Sequence, residues 1–206
     1  MSELSSARDR VVVYPRGMQP LPFAREVEIV LLLASPLSRY EGRPSDGPLP
    51  AVGPEVHTSI EIRAGLGVVG DRYFGKPAHV HASVTVMNSE VLDDVADDLG
   101  IPRDLDPVAT RRNILLRGVD VDRMRGATFS LDTGDGGVVF LANRPANPCA
   151  WMDVTLAPGA HKALRGRGGM RCEPLTSGTL RLGAATLRSS VELGAASSTH
   201  EVPNPV

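Results

Sequence analysis

The residues best suited to chemistry fall in one stretch, Asn143-Arg144-Pro145-Ala146-Asn147-Pro148-Cys149-Ala150-Trp151. Two prolines stiffen it by fixing φ and withholding backbone donors. Each also pushes its predecessor, Arg144 or Asn147, towards extended backbone. Cys149 therefore follows a preset corner, between an arginine and the sole tryptophan of the chain. A cationic neighbour favours thiolate, the form that attacks sulfur or ligates a soft metal. The same cysteine could instead be a small buried hydrophobe, and local chemistry leaves both roles open. Cys172 sits on an alternating stretch and is expected in the core.

Cationic side chains recur at loop or strand edges: Arg72, Arg111, Arg112, Arg144, Arg165 and Arg167, with Lys76 nearby. Planar guanidinium groups suit phosphate because they offer paired donors. Read on a strand, Arg111 and Arg112 point to opposite faces. One is expected to reach a ligand and the other to pair with a carboxylate; for any single arginine, surface solvation is the alternative. His79 and His81 would share a strand face as a metal pair, but no third ligand accompanies them. The string Gly65-Leu66-Gly67-Val68-Val69-Gly70, with Glu90 about twenty residues on, matches the dinucleotide fingerprint. Its context does not, because Gly75 and Pro77 oppose the helix that would aim amides at a pyrophosphate. Neither a GxSxG elbow nor an HExxH motif is present.

A frame must hold these groups. At 206 residues the chain is long enough for one domain with tails. A formal net charge of −2 argues against bulk capture of nucleic acid. With only Cys149 and Cys172 there is no disulfide framework and no CxxC zinc signature, so a reduced cytoplasmic protein is the simpler reading. No stretch is long enough to span a bilayer, and the apolar run at 29–34 is too short and wrongly flanked for a signal peptide. Alternation predicts strands at 27–33, 56–62, 80–86 and 114–116, then a hairpin of 128–131 and 138–142 turning at Asp135-Gly136. One clear helix follows Asn88-Ser89, with Val91, Leu92, Val95 and Leu99 on one face and Asp93, Asp94, Asp97 and Asp98 on the other. Those acids read as a solvated face, and since they oppose the dipole the helix must rely on packing. A short helix is expected at 160–164, a flexible basic turn at 166–169, and two or three strands within 170–187. Short strands between glycine turns give a mainly β chain with minor helices and a barrel architecture. The domain division is an extension at 1–25, a barrel at 26–187 and a tail at 188–206.

Taken in order, Gly70-Asp71-Arg72, Arg111-Arg112-Asn113 before a strand and Gly118, Pro148-Cys149, and Gly166-Arg167-Gly168-Gly169 resemble the MOSC domain found at the C-terminus of molybdenum-cofactor sulfurases. The likeness runs over about residues 26–187, and the ordered set is more specific than any member. It implies a β-barrel related to the inserted barrel domain of pyruvate kinases. It further implies a single cysteine, Cys149, that carries sulfane sulfur or ligates molybdenum in a bound pterin cofactor (molybdopterin). Arg111, Arg112 and Asn113 would then shape an anionic ligand site, with Asp71, Arg72 and Gly168 at its rim and Arg144 and Arg167 close by. The chain lacks the desulfurase domain of larger relatives, so a cysteine desulfurase is the expected sulfur donor. The expected function is that of a molybdenum-cofactor-associated sulfur carrier or cofactor-binding enzyme. The alternatives are a pterin-molybdenum oxidoreductase reducing N-hydroxylated compounds, and a noncatalytic module binding an anionic small molecule.

Overall fold

A computed structural model describes residues 20–195. Most of the expected N-terminal extension (1–19) and the end of the expected tail (196–206) lie outside the described residues. The elements run β1 (Phe23–Leu32), β2 (Ser59–Arg63), β3 (Gly67–Val68), β4 (Val84–Asn88), α1 (Glu90–Leu99), β5 (Ile114–Arg117), β6 (Thr128–Asp132), β7 (Val138–Pro145), α2 (Met152–Thr155), α3 (Ala160–Ala163), β8 (Met170–Pro174), β9 (Gly178–Arg181) and β10 (Gly183–Ser189). Seven strands close into a barrel in the order β1-β10-β6-β7-β8-β4-β5, and β3-β2-β9 form a separate small sheet. Every barrel pair is antiparallel except β4–β5. That parallel pair needs a crossover, which α1 supplies. The barrel strands extend past the expected bounds: β1 starts at Phe23, β10 ends at Ser189, and Leu21 and Leu193 are buried.

Two apolar layers follow from the alternation. The larger cluster includes Val27, Ile29, Leu32, Phe129, Leu131, Phe140 and Leu187. The smaller one joins barrel residues Leu31, Leu33, Met87 and Leu115 to Val91, Leu92, Val95, Trp151, Met152 and Leu164. The run Val27, Ile29, Leu31, Leu33 does not stay on one layer. A register shift between Ile29 and Leu31 adds a residue to the alternation, so β1 serves both clusters. Covered by both layers, β4 is buried at every position, as parallel strands usually are.

Helix α1 begins where the pattern placed it, although Ser89 makes no side-chain cap bond. Val91, Leu92 and Val95 are buried, each worth about 1.5–3 kcal/mol, which offsets the acids near its C-terminus. Gly100 ends it at φ 65°, donating to the Ala96 and Asp97 carbonyls, a conformation glycine adopts without penalty. The acidic face is solvated as expected at Asp97 and Asp98, which also pair at the surface with Arg103 and Arg167.

One expected strand start is corrected. Residues Pro77–Ala82 form a 3-10 helix, and strand begins only at Val84. Pro77 presets a helical φ at the first position, and His79 closes the turn by donating to the Lys76 carbonyl at 2.8 Å. The two histidines therefore separate: His79 lies against the Tyr73 ring and His81 pairs with Glu173. The glycine string becomes β3 and its flanking turns, in agreement with rejection of the nucleotide reading.

Candidate functional site

Pro145 ends β7, and Asn147 to Cys149 continue without regular structure. Ala146, buried between them, is held from both sides. Its N–H donates to the Gly169 carbonyl at 2.7 Å, and its carbonyl accepts from Arg112 Nη2 at 2.7 Å. Arg112 Nε donates to the Gly168 carbonyl at 2.8 Å and Nη1 to the Thr110 carbonyl at 3.2 Å. One guanidinium thus clamps the cysteine loop, the glycine turn and its own backbone together. The turn must be glycine here: a Cβ on Gly168 would stand 2.2 Å from the Ala146 carbonyl oxygen. Beyond the clamp, the Cys149 carbonyl accepts from Met152 at 2.9 Å and opens α2, a helix the sequence pattern did not suggest. Trp151 anchors the far side, stacked on Tyr40 with ring centroids 5.1 Å apart. Between these anchors Cys149 is exposed.

Arg111 behaves differently from Arg112, though not through strand alternation. It follows the 3-10 helix Pro107–Thr110 in the left-handed region at φ 57°, uncommon for a residue with a side chain. That twist turns its guanidinium inward, where Nη1 donates to Glu55 Oε2 at 2.8 Å. Arg39 Nη1 reaches the same oxygen at 2.9 Å, and the Ser35 hydroxyl donates to Oε1 at 2.5 Å. Burial alone would raise Glu55, but these donors outweigh it and hold the carboxyl at about 2. Asp71 and Asn113 form a second buried hub. Asp71 accepts from Ser35 N, Tyr73 N and Asn113 Nδ2, and Asn113 also bonds Thr85 and the Leu33 carbonyl. These two expected ligand residues are spent on the frame.

The charge left over faces the cysteine loop. Arg171 on β8 stands directly across from Arg144 on β7, a like-charge pairing that costs stability unless compensated. Neither has an ion-pair partner among the described residues. Burial, then Arg171 and then Arg72 draw the Arg112 guanidinium down to about 10, and Cys149 lies within the same electrostatic range. Arg72 stacks over Tyr73 at 4.5 Å and stands 3.7 Å from Asp71, yet its Nη1 is buried with no hydrogen-bond acceptor. Asp122 answers part of this charge. It accepts from Gly169 N at 2.9 Å, and burial pushes its carboxyl up to about 6.

The structure therefore gathers Cys149, Arg112, Arg72 and Arg144 around one charged face, and puts Gly168 in the packing beneath it. Arg111, Asn113 and Asp71 sit behind that face, and Arg167 turns away to Asp98 and the Ala163 carbonyl. Arg165 and Lys76 are exposed. Sequence reasoning missed Arg171, Asp122 and Glu55, and passed over Tyr40 and Arg39 without a role. For Arg171 a signal existed, since it alternates with the apolar Met170 and Cys172 on a strand entering from the glycine turn. Cys172 is fully buried, and burial pushes its thiol up. Among the described residues no group of three or more His, Cys, Asp or Glu side chains could hold a metal, so thiolate ligation would rest on Cys149. Nor is any helix there long and apolar enough to cross a membrane.

The fold is similar to solved structures. YuaD from Bacillus subtilis superposes with a TM-score of 0.63 at 16% identity, over 82% of this chain and 99% of that one. YiiM from Escherichia coli gives 0.53 at 14% identity, over 80% and 70%. No curated protein matches the sequence. Residues 68–186 match the family described as MOSC domain. Since that match covers more than half of the sequence, the chain belongs to the MOSC domain family, which is associated with molybdenum-cofactor-related function.

Proposed function

We propose that the chain is a sulfur carrier acting alongside the molybdenum cofactor, with Cys149 as its working sulfur. One observation carries this reading. The exposed cysteine opens onto a face where Arg112, Arg171 and Arg144 have no ion-pair partner among the described residues. Such a face attracts anionic sulfur donors and anionic cofactors alike. A cysteine desulfurase persulfide is the expected donor. The Cys149 thiolate attacks its outer sulfur, the donor S–S bond breaks, and the donor cysteine leaves as thiolate. The outer sulfur keeps its proton, so Cys149 becomes a persulfide without any net redox change.

The residues also fit a pterin cofactor. The buried unsatisfied Nη1 of Arg72 and the unpaired Arg171 are donors suited to a phosphate, and the Cys149 thiolate is a soft ligand suited to molybdenum. When bound, that group supplies two-electron redox chemistry at the metal. In this second reading, favoured by the Arg72 nitrogen that makes no hydrogen bond, Arg72 and Arg171 hold the anion while Arg112 fixes the loop that presents Cys149. Reduction of N-hydroxylated compounds is the activity to assay. Protein purified from a cofactor-producing host separates the readings by metal content and intact mass. A persulfide mass on wild type that is absent from Cys149→Ser supports the carrier, and molybdenum lost in Cys149→Ser supports ligation. If neither appears, both fail and the face is a noncatalytic anion site.

A further inference from the structure

A cavity of about 180 Å³ opens beside the cysteine loop and is lined by Arg39, Tyr40, Pro48, Asp106, Arg111 and Thr155, among others. Tyr40 connects the two places, since it lines this cavity and stacks on Trp151, two residues after Cys149, while Val154 and Thr155 of the following helix line the same wall. The volume is below the roughly 300–1,000 Å³ of drug-sized pockets, so it suits a molecule of a few heavy atoms better than a pterin.

The charges on its walls are of both signs. Arg39 and Arg111 share one oxygen of Glu55, so three charged groups leave one positive charge in excess. Arg39 Nη2 has no hydrogen-bond partner among the described residues, because that side chain spends Nε on the Leu49 carbonyl and Nη1 on Glu55. Asp106 supplies the opposite sign. One of its oxygens accepts from Val108 N at 2.9 Å, and the other has no partner among the described residues. A guanidinium and a carboxylate on one small cavity are complementary to an α-amino acid, with its carboxylate to Arg39 and its ammonium to Asp106. We infer that this cavity is a subsite for a free amino-acid persulfide, of the size and charge of cysteine persulfide, which delivers its outer sulfur to Cys149.

The inference rests on the carrier reading above and names a small-molecule donor for it. The step balances. The Cys149 thiolate bonds to the outer sulfur, the donor S–S bond breaks, the proton stays on the transferred sulfur, and free cysteine leaves as thiolate. Hydroxyethyl persulfide offers the same sulfur without either charge. Cysteine persulfide should therefore load Cys149 at a half-saturating concentration about tenfold lower, the scale of one charge-assisted hydrogen bond. Asp106→Asn keeps an oxygen for the Val108 N–H and loses the charge, so it should remove most of that advantage. Val154→Phe, at a cavity position that is 50% exposed, should do the same by filling the space.

Direct binding separates this inference from the carrier reading. Full-length Cys149→Ala protein titrated with S-methyl-L-cysteine should bind saturably, and Cys149→Ala/Asp106→Asn should bind about tenfold more weakly. No binding of S-methyl-L-cysteine, or equal loading by the two persulfides in wild type, overturns the subsite. Loading by a cysteine desulfurase would in that case leave the carrier reading standing. Failure of every donor to load Cys149 overturns the carrier and the inferred donor together.

Discussion

Replacing Arg111 with methionine should destabilise the frame rather than empty the site. Arg111 is 6% exposed and its carboxylate partner Glu55 is 7% exposed, so truncating the pair strands a buried acid. Glu55 falls from 4.5 to about 2 in the folded chain, which at 1.36 kcal/mol per pH unit is about 3 kcal/mol favouring the carboxylate. Arg39 and Ser35 remain to hold it, so the variant should lose about 3 kcal/mol at pH 7, the low end for a broken buried pair. For a chain of this size that is a melting temperature about 6–12 °C lower. The sign with pH is fixed. A depressed carboxyl contributes stability that is complete above about 4.5 and lost as pH falls towards 2. Without Arg111 the carboxyl moves back up and is protonated at pH 3, so the penalty should shrink there. Adding Glu55→Gln removes the stranded charge and should recover at least half of the loss. Thermal melts of wild type, both single variants and the double variant at pH 7 and pH 3 test this. Equal penalties at both pH values, or a double variant as unstable as the sum of the singles, would refute the argument.

Asp122, raised by burial to about 6, has the opposite sign. The folded state holds its proton longer than the unfolded chain, so its contribution falls as pH rises from about 4 to 6. Asp122→Asn should flatten that window and gain about 1–2 kcal/mol at pH 7 after allowance for partial exposure, as urea unfolding would show. Gly168→Ala must displace the Ala146 carbonyl, so it should cost about 1–3 kcal/mol and change the proteolysis pattern of the cysteine loop. A limiting alkylating reagent should label exposed Cys149 before buried Cys172 in the native protein, which peptide mapping reads directly. Cys172→Ser, burying a hydroxyl in the core, should cost about 1–3 kcal/mol by the same unfolding assay.

Local patterns made much of the frame legible. The face of α1, the hairpin of β6 and β7, and the turn after Arg144-Pro145 all follow from neighbours in sequence. Partners across the fold did not. Glu55 meets Arg111 from 56 positions away, and Arg171 meets Arg144 only through the register of β7 and β8. The histidine stretch misled because a proline-started 3-10 turn displays the same spacing of apolar residues as a short strand. Arg111 and Arg112 were separated for the wrong reason. A left-handed backbone at Arg111, which no composition rule anticipates for arginine, does what alternation was expected to do.

The seam between β1 and β10 sets the order of events during synthesis. Phe23 pairs with Ser189 and Ile29 with Gly183, so the first barrel strand waits for the last. Until residue 189 has left the ribosome, β1 has an unpaired edge and the apolar interior is open on one side. An edge of that kind invites pairing with another chain, and contacts so distant in sequence are slow to form. The waiting chain can shelter β1 against β5, whose pairing from Glu28 to Leu32 needs nothing beyond Arg117. Pausing between those two strands and β10 would therefore favour misassembly, whereas slow translation after closure would not.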